Sequence, residues 1–272
     1  MSQHVSVEVR SVTKDFGGVS AIDDVSFHHD TGGVIGLIGP NGAGKTTLFN
    51  ILSGADRPTS GSIVLNDEDV TGQAPYRMNH RGVARTFQNL EVFTSLTVAE
   101  NVMVSRQRFM GRGPLLSMIT PANSGNVRRQ REYAQQLLER AGVDQYADEF
   151  VGNLPYGDQR RVEIARAMAT EPQLLLLDEP LAGLSRAESA GLTELMTQTA
   201  ADGITIILVE HDVASVMGVS DRVLVLNTGQ LLADGTAAQI QHDSRVQAAY
   251  LGVSPQSSTD QTNDDTAARD AE

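Results

Sequence analysis

An α/β fold with a mainly parallel core sheet is predicted by three features of this 272-residue chain. Two continuous apolar runs, LLLLD at 174–178 and ITIILVEH at 204–211, have the length and composition of strands buried on both faces of a parallel sheet. A helical pattern at Arg186–Ala201 joins them as a β-α-β unit. A third apolar run, Val34–Ile38, leads into a glycine-rich turn at 39–44 and then a helix pattern at Thr46–Ser53.

The remaining elements follow in order. Residues 5–35 hold short β-like runs (VSVEVRSV, AIDDVSF, GGVIGLIG) broken by Gly and Asp, and residues 61–70 read as one strand ending in polar turn residues. From about Thr97 to Arg166 the pattern is mainly helical, interrupted by a Gly/Pro/Ser/Asn segment between Gly111 and Asn126. After Val253 the chain has no large apolar residue, which predicts an acidic, disordered tail over 254–272. The organisation expected is one domain over 1–253, with a mainly helical subdomain at about 90–166, an N-terminal antiparallel β subdomain and this tail.

Composition narrows the class. A 40% hydrophobic content with 25 glycines suits a globular α/β protein. The chain has no cysteine, which excludes disulfide frameworks and thiolate metal sites and agrees with a cytoplasmic protein. No apolar run approaches the roughly 18 residues that cross a bilayer, and the N-terminal MSQHVSVEVR lacks the apolar core of a secretory signal. A net charge of −13 argues against nucleic acid as the main partner, since duplex binding needs a basic face. Lys14 and Lys45 are the only lysines, which GC-rich coding explains more simply than a salt-adapted surface.

GPNGAGKTT, from Gly39 to Thr47, satisfies the P-loop pattern G-x-x-x-x-G-K-[ST] in its proper setting, after a strand run and before a helix. Glycines permit the dihedral angles that turn successive N–H groups of Gly39, Pro40, Asn41, Gly42, Ala43 and Gly44 (all but proline) toward an anion. Lys45 offers a point charge for the β- and γ-phosphates of ATP, the Thr46 hydroxyl can ligate Mg²⁺, and Thr47 continues a helix whose positive end faces the same phosphates. In LLLLDEP a buried strand ends in two carboxylates at the sheet edge where such folds bind ligands. Asp178 there suits Mg²⁺ through water, and Glu179 suits a general base that polarises water. The long stretch between Lys45 and Asp178 leaves room for an inserted subdomain.

This order of motifs resembles the ATP-binding subunit of ABC transporters over nearly all of residues 5–253. The resemblance implies the ABC ATPase fold, a P-loop NTPase core with those two subdomains. It implies that Phe16, in KDFGGVSAIDDVSF, stacks on adenine. It also implies that Gln88, in RTFQNLEVFTSLTVAENV, follows the central strand, touches Mg²⁺ and links to the membrane subunit, and that His211, in LVEHD, contacts the γ-phosphate. LPYGDQRRVEIARAMA, residues 154–169, falls where the family has its signature loop, which closes over the nucleotide of a second, head-to-tail subunit. Tyr156, Gly157 and Asp158 are then the nucleotide-facing residues, with Gly157 exposing its N–H and a helix starting near Asp158 aiming its dipole at phosphate. Pro155 replaces the usual serine and has neither hydroxyl nor N–H. With Lys45, Thr46, Gln88, Asp178, Glu179 and His211 all present, an active ATPase is expected.

The same stretch, L-x-Y-G-[DE]-Q-R-R-[LV]-E-I-A-R-A, resembles the branched-chain amino acid importers, in which that serine is often replaced. FGGVSAIDDVSF, the TFQNLEVFTSLTVAENV segment, an insertion like Gly111–Val127 and the ending DRVLVLNTGQLLADGTAAQIQHDSRVQAAYLG match as well. PLAGLS departs from the general family, with Ser185 where an aspartate is common. The resemblance implies an ATP hydrolase at the cytoplasmic face of the membrane, paired with an identical or paralogous ATPase subunit and two permease subunits, and served indirectly by an extracytoplasmic solute-binding protein. Urea, short amides or another amino acid are alternative cargoes, because this subunit never touches cargo. A soluble ABC ATPase acting on ribosomes or DNA is disfavoured by the single ATPase unit, the lack of a heptad run and the negative charge.

Overall fold

The computed structural model describes residues 5–106, 109 and 125–251. Two sheets organise them. The first is antiparallel, with β1 (Val7–Phe16), β2 (Val19–His29), β4 (Ser60–Leu65) and β5 (Glu68–Asp69) in the order β2-β1-β4-β5. The second has six strands in the order β10-β9-β3-β8-β7-β6, comprising β3 (Val34–Ile38), β6 (Val83–Arg85), β7 (Leu174–Asp178), β8 (Thr205–Val209), β9 (Arg222–Asn227) and β10 (Gln230–Gly235). All its pairings are parallel except β9 with β10. Every residue of β3, β7 and β8 is buried, as an unbroken apolar run requires when both faces are covered.

One face of this sheet meets the antiparallel sheet and α1 (Lys45–Leu52) through Ile35, Leu37, Phe49, Val7, Ile22 and Ile63. The other face is covered by helices. These are α3 (Val98–Ser105), α4 (Gly125–Ala141), α5 (Tyr156–Met168) and α6 (Arg186–Ala201), whose Val98, Leu138, Ile164 and Leu195 pack with Leu177 and Ile206. Three shorter helices, α7 (Val213–Val219), α8 (Ala237–Gln241) and α9 (Ser244–Leu251), close the β9–β10 end, and α2 (Pro75–His80) precedes β6. Capping boxes start α3 at Thr97 with Glu100 and α6 at Ser185 with Glu188, each pairing two end groups reciprocally. Arg106, buried at the end of α3, bonds Gln130 on α4 and the Ala169 carbonyl beyond α5, and stacks 3.7 Å from the Tyr133 ring centroid. One guanidinium thus ties the three helices together.

The structure departs from the sequence expectations in a few places. The strand expected over 61–70 is a hairpin, because Asn66 and Asp67 both take positive φ (48° and 64°) and turn the chain between β4 and β5. The helix after the P-loop starts at Lys45 and ends at Leu52, one residue earlier at each end than read. α5 begins at Tyr156 rather than near Asp158: Pro155 sits at its N-cap, and its carbonyl accepts from the N–H groups of Asp158 and Gln159. The interrupting segment lies outside the described residues apart from the start of α4, and the tail at 254–272 lies wholly outside them.

Candidate nucleotide site

The P-loop connects β3 to α1. Gly44 has φ +101°, and a Cβ there would lie 2.5 Å from the Ala21 carbonyl oxygen, so no side chain fits that turn. A Cβ on Gly39 would run into the Leu226 carbonyl of the adjacent strand. The loop is therefore pressed against both sheets. Lys45 is buried, and its Nζ donates to the carbonyls of Gly39 (2.7 Å) and Pro40 (3.1 Å), so it lies back across the loop. Burial pushes its amine below the usual lysine range, and the nearby Glu179 charge opposes that. Thr46 is exposed in the first turn of α1.

The two carboxylates at the end of β7 have different surroundings. Asp178 Oδ2 is 2.9 Å from Arg85 Nη2. Arg85 also donates to Asn50 Oδ1 (2.7 Å) and Ser53 Oγ (3.0 Å), so it joins β6, β7 and α1. Glu179 takes φ +50°, a left-handed conformation that is strained for a residue with a side chain. Its N–H donates to the Val209 carbonyl (2.9 Å). Its carboxylate accepts from Gln88 Nε2 (3.2 Å) and lies 2.7 Å from His211 Nε2. Gln88 follows β6, which among the described strands is the edge of the sheet and not a central one, since β6 pairs with β7 alone. Phe16, Asn41, Lys45, Thr46, Glu179 and His211 line one cavity of about 370 Å³. The Phe16 ring is half exposed, with Lys14 Nζ 4.7 Å from its centroid.

The family model described as "ABC transporter" matches residues 22–182, well over half of the chain. The chain belongs to the ABC transporter family. A second model, "Branched-chain amino acid ATP-binding cassette transporter", matches residues 230–254 of this ABC protein. The high-affinity branched-chain amino acid transport ATP-binding protein BraF of Pseudomonas aeruginosa is 42% identical over 248 residues, covering 90% of this chain and 97% of its own. LivG of Escherichia coli K12, with the same descriptive name, is 41% identical over 254 residues, 93% and 99% of the two chains. Among solved structures, an ATP-binding cassette of an ABC transporter in its ADP conformation superposes with a TM-score of 0.79 at 30% identity, over 93% of this chain and 100% of that one. This ABC protein is therefore a nucleotide-binding ATPase subunit with the ABC ATPase fold.

The residues expected in the signature loop stand apart from the cavity. Tyr156, Gly157 and Asp158 occupy the first turn of α5 and do not line it. Gly157 is buried, contrary to the expectation that it exposes its backbone: the Glu188 carboxylate that caps α6 fills the space beside it. Pro155 and Tyr156 are the exposed members of this turn, and burial pushes the Asp158 carboxyl up against the opposing charge of Arg161. Behind them Arg160 is buried, donating to Glu163 Oε2 (2.9 Å) and to the carbonyls of Phe87 (3.2 Å) and Gln88 (2.7 Å). α5 thus holds the loop that carries Gln88. Sequence reading missed Arg85 and Arg160. Their signal was present only as charged residues amid apolar neighbours, in VARTFQ and in QRRVEIA.

The residues present fit Mg²⁺. Thr46, Gln88 and Asp178 offer hard oxygen donors. Among the described residues no group of three or more His, Cys, Asp or Glu could hold a metal ion. No described helix is long and apolar enough to cross a membrane.

Proposed function

We propose that the chain is the ATP-hydrolysing subunit of an importer for branched-chain amino acids. The match of residues 230–254 to the branched-chain family carries the cargo assignment, supported by the names of BraF and LivG. The observation that carries the mechanism is Glu179, gripped between Gln88 and His211 at the mouth of the P-loop cavity.

In this reading Phe16 stacks on adenine, and the amides and Lys45 of Gly39–Thr47 hold the phosphates. Thr46, Gln88 and, through water, Asp178 would hold Mg²⁺, which when bound would neutralise phosphate charge. Glu179 takes a proton from the attacking water, while His211 orients Glu179 and faces the γ-phosphate. Tyr156, Gly157 and Asp158 close over the nucleotide of a second ATPase subunit. Because Gly157 is covered in the single chain, the exposed residue Tyr156 and the dipole of α5 make that contact. Nucleotide-driven closing and reopening of the pair is passed to two permease subunits at the cytoplasmic face, through the surface around Gln88 and the helical subdomain at about 90–166. That subdomain belongs to a single ATPase domain over 1–253, followed by a tail over 254–272, and a solute-binding protein delivers cargo on the far side.

Glu179→Gln tests the mechanism. It is expected to bind ATP, lose turnover by about 100-fold or more and accumulate as a nucleotide-bound dimer on size-exclusion chromatography. Rapid hydrolysis by this variant removes Glu179 as the base. Ligand screening of the cognate solute-binding protein tests the cargo; selective binding of urea or short amides overturns that assignment.

A further inference from the structure

We propose that Glu210 is a positioning residue for ATP hydrolysis, fixing the loop after β7 so that Glu179 points into the P-loop cavity. The inference rests on the role given to Glu179 above. The parallel ladder between β7 and β8 ends at the pair Asp178–Val209. At that end, three consecutive residues, Val209 closing β8 and then Glu210 and His211, grip the chain that follows β7. The Val209 carbonyl accepts from the Glu179 N–H at 2.9 Å, and His211 Nε2 meets Glu179 Oε1 at 2.7 Å. Between them, Glu210 Oε1 accepts from the Leu181 N–H at 2.6 Å.

Two features make the third contact more than packing. Glu179 sits at φ +50°, a conformation uphill by roughly 1–2 kcal/mol for a residue with a Cβ, so its neighbours must hold it there. Glu210 is itself only 6% exposed, and a carboxylate is an unfavourable group to bury unless its hydrogen bonds are needed. Its hydrogen bond goes to the backbone, at the Leu181 N–H. Glu179 and His211 are the titratable groups beside it, and burial with the Glu179 charge pushes the Glu210 carboxyl up. A shift of the 181–185 loop would move the Glu179 backbone directly, since Ala182 N–H is bonded to the Glu179 carbonyl.

Glu210→Gln, Glu210→Asp and Glu210→Ala in the full chain separate reach from charge. Gln keeps an acceptor at the same distance, Asp keeps the charge but is one methylene short, and Ala removes both. Hydrogen exchange of the 179–185 segment is measured beside kcat and KM for ATP. Asp and Ala are expected to lose about tenfold in protection of Leu181 and about tenfold in kcat, the equivalent of one ordinary hydrogen bond, with KM little changed. Gln retains both. The proposal falls if Asp and Ala exchange like the native chain, if Gln fails along with them, or if kcat and KM decline together. Should the Ala variant not fold, the contrast between Asp and Gln decides. A native chain without ATPase activity counts against the proposed function instead, and the exchange pattern alone then judges the loop contact.

Discussion

Pro155 is the residue where this chain departs most visibly from its family pattern, and its place at the N-cap of α5 shows what it contributes. Its carbonyl bonds two N–H groups of the first turn, so the helix starts without a side-chain cap. The proposed contact to a partner's phosphate would then depend on backbone and dipole, which a serine would supplement with one hydroxyl. Pro155→Ser is expected to leave kcat within about fivefold, the rate equivalent of a hydrogen bond of about 1 kcal/mol; a much larger gain in a steady-state ATPase assay would mean that the native turn is impaired. His29 gives a second prediction at this scale. It is buried, with Nε2 2.7 Å from the Gly32 carbonyl, and burial holds its pKa below the ordinary 6.5, with the Arg222 charge adding to the effect. The unfolded chain therefore takes up the proton first. The stability contributed by neutral His29 is complete above 6.5 and falls as pH drops from there toward the lower folded value. His29→Gln, which preserves a donor to Gly32, should flatten the decline of Tm between about pH 7 and 5. An unchanged decline would place the acid-sensitive group elsewhere.

At the scale of elements, α5 does two jobs. Its apolar residues, including Val162, Ile164 and Ala165, pack into the helical layer. Arg160 reaches past that layer to the carbonyls of Phe87 and Gln88, and Glu163 Oε1 accepts from the Glu91 N–H. Burial raises the Glu163 carboxyl, and the Arg160 hydrogen bond and charge oppose that. Removing the cation alone would strand a buried carboxylate and two carbonyls. Arg160→Ala is expected to destabilise the chain by about 3–5 kcal/mol, read from urea unfolding, whereas a loss below 1 kcal/mol would mean that water replaces the guanidinium freely. The first turn of α5 also leans on α6 through Gly157 and Glu188, and Ser185 serves as the N-cap of α6. The departure from aspartate at that position therefore keeps the cap, since Ser and Asp both accept from the third N–H of a helix.

For the whole molecule, charge is the dominant global property. Each chain carries −13, and the proposed head-to-tail pair brings two such chains and their nucleotides together. Repulsion of that kind is screened over a distance of about 10 Å at 0.1 M salt and less at higher salt. The ATP-bound dimer of Glu179→Gln is therefore expected to tighten as KCl rises from about 0.05 to 0.5 M, measured by sedimentation velocity. Weakening over that range would mean that ion pairs across the interface outweigh the net repulsion.

Sequence alone was enough for whatever is local or periodic. The apolar runs became β3, β7 and β8 because a strand buried on both faces needs no pattern beyond hydrophobicity, and Arg186–Ala201 became α6 with the boundaries read. The P-loop was legible because its glycines and Lys45 are contiguous. The hairpin at Asn66–Asp67 was missed because two non-glycine residues took left-handed conformations, and the start of α5 because a proline acts there as a cap. Tertiary structure alone decided the rest. Glu179 meets His211 and Gln88, Asp178 meets Arg85, and Glu210 meets Leu181 only once parallel strands distant in the chain lie side by side. Such meetings leave no periodic trace, because they depend on strand order and register, which long-range packing sets and no local spacing encodes.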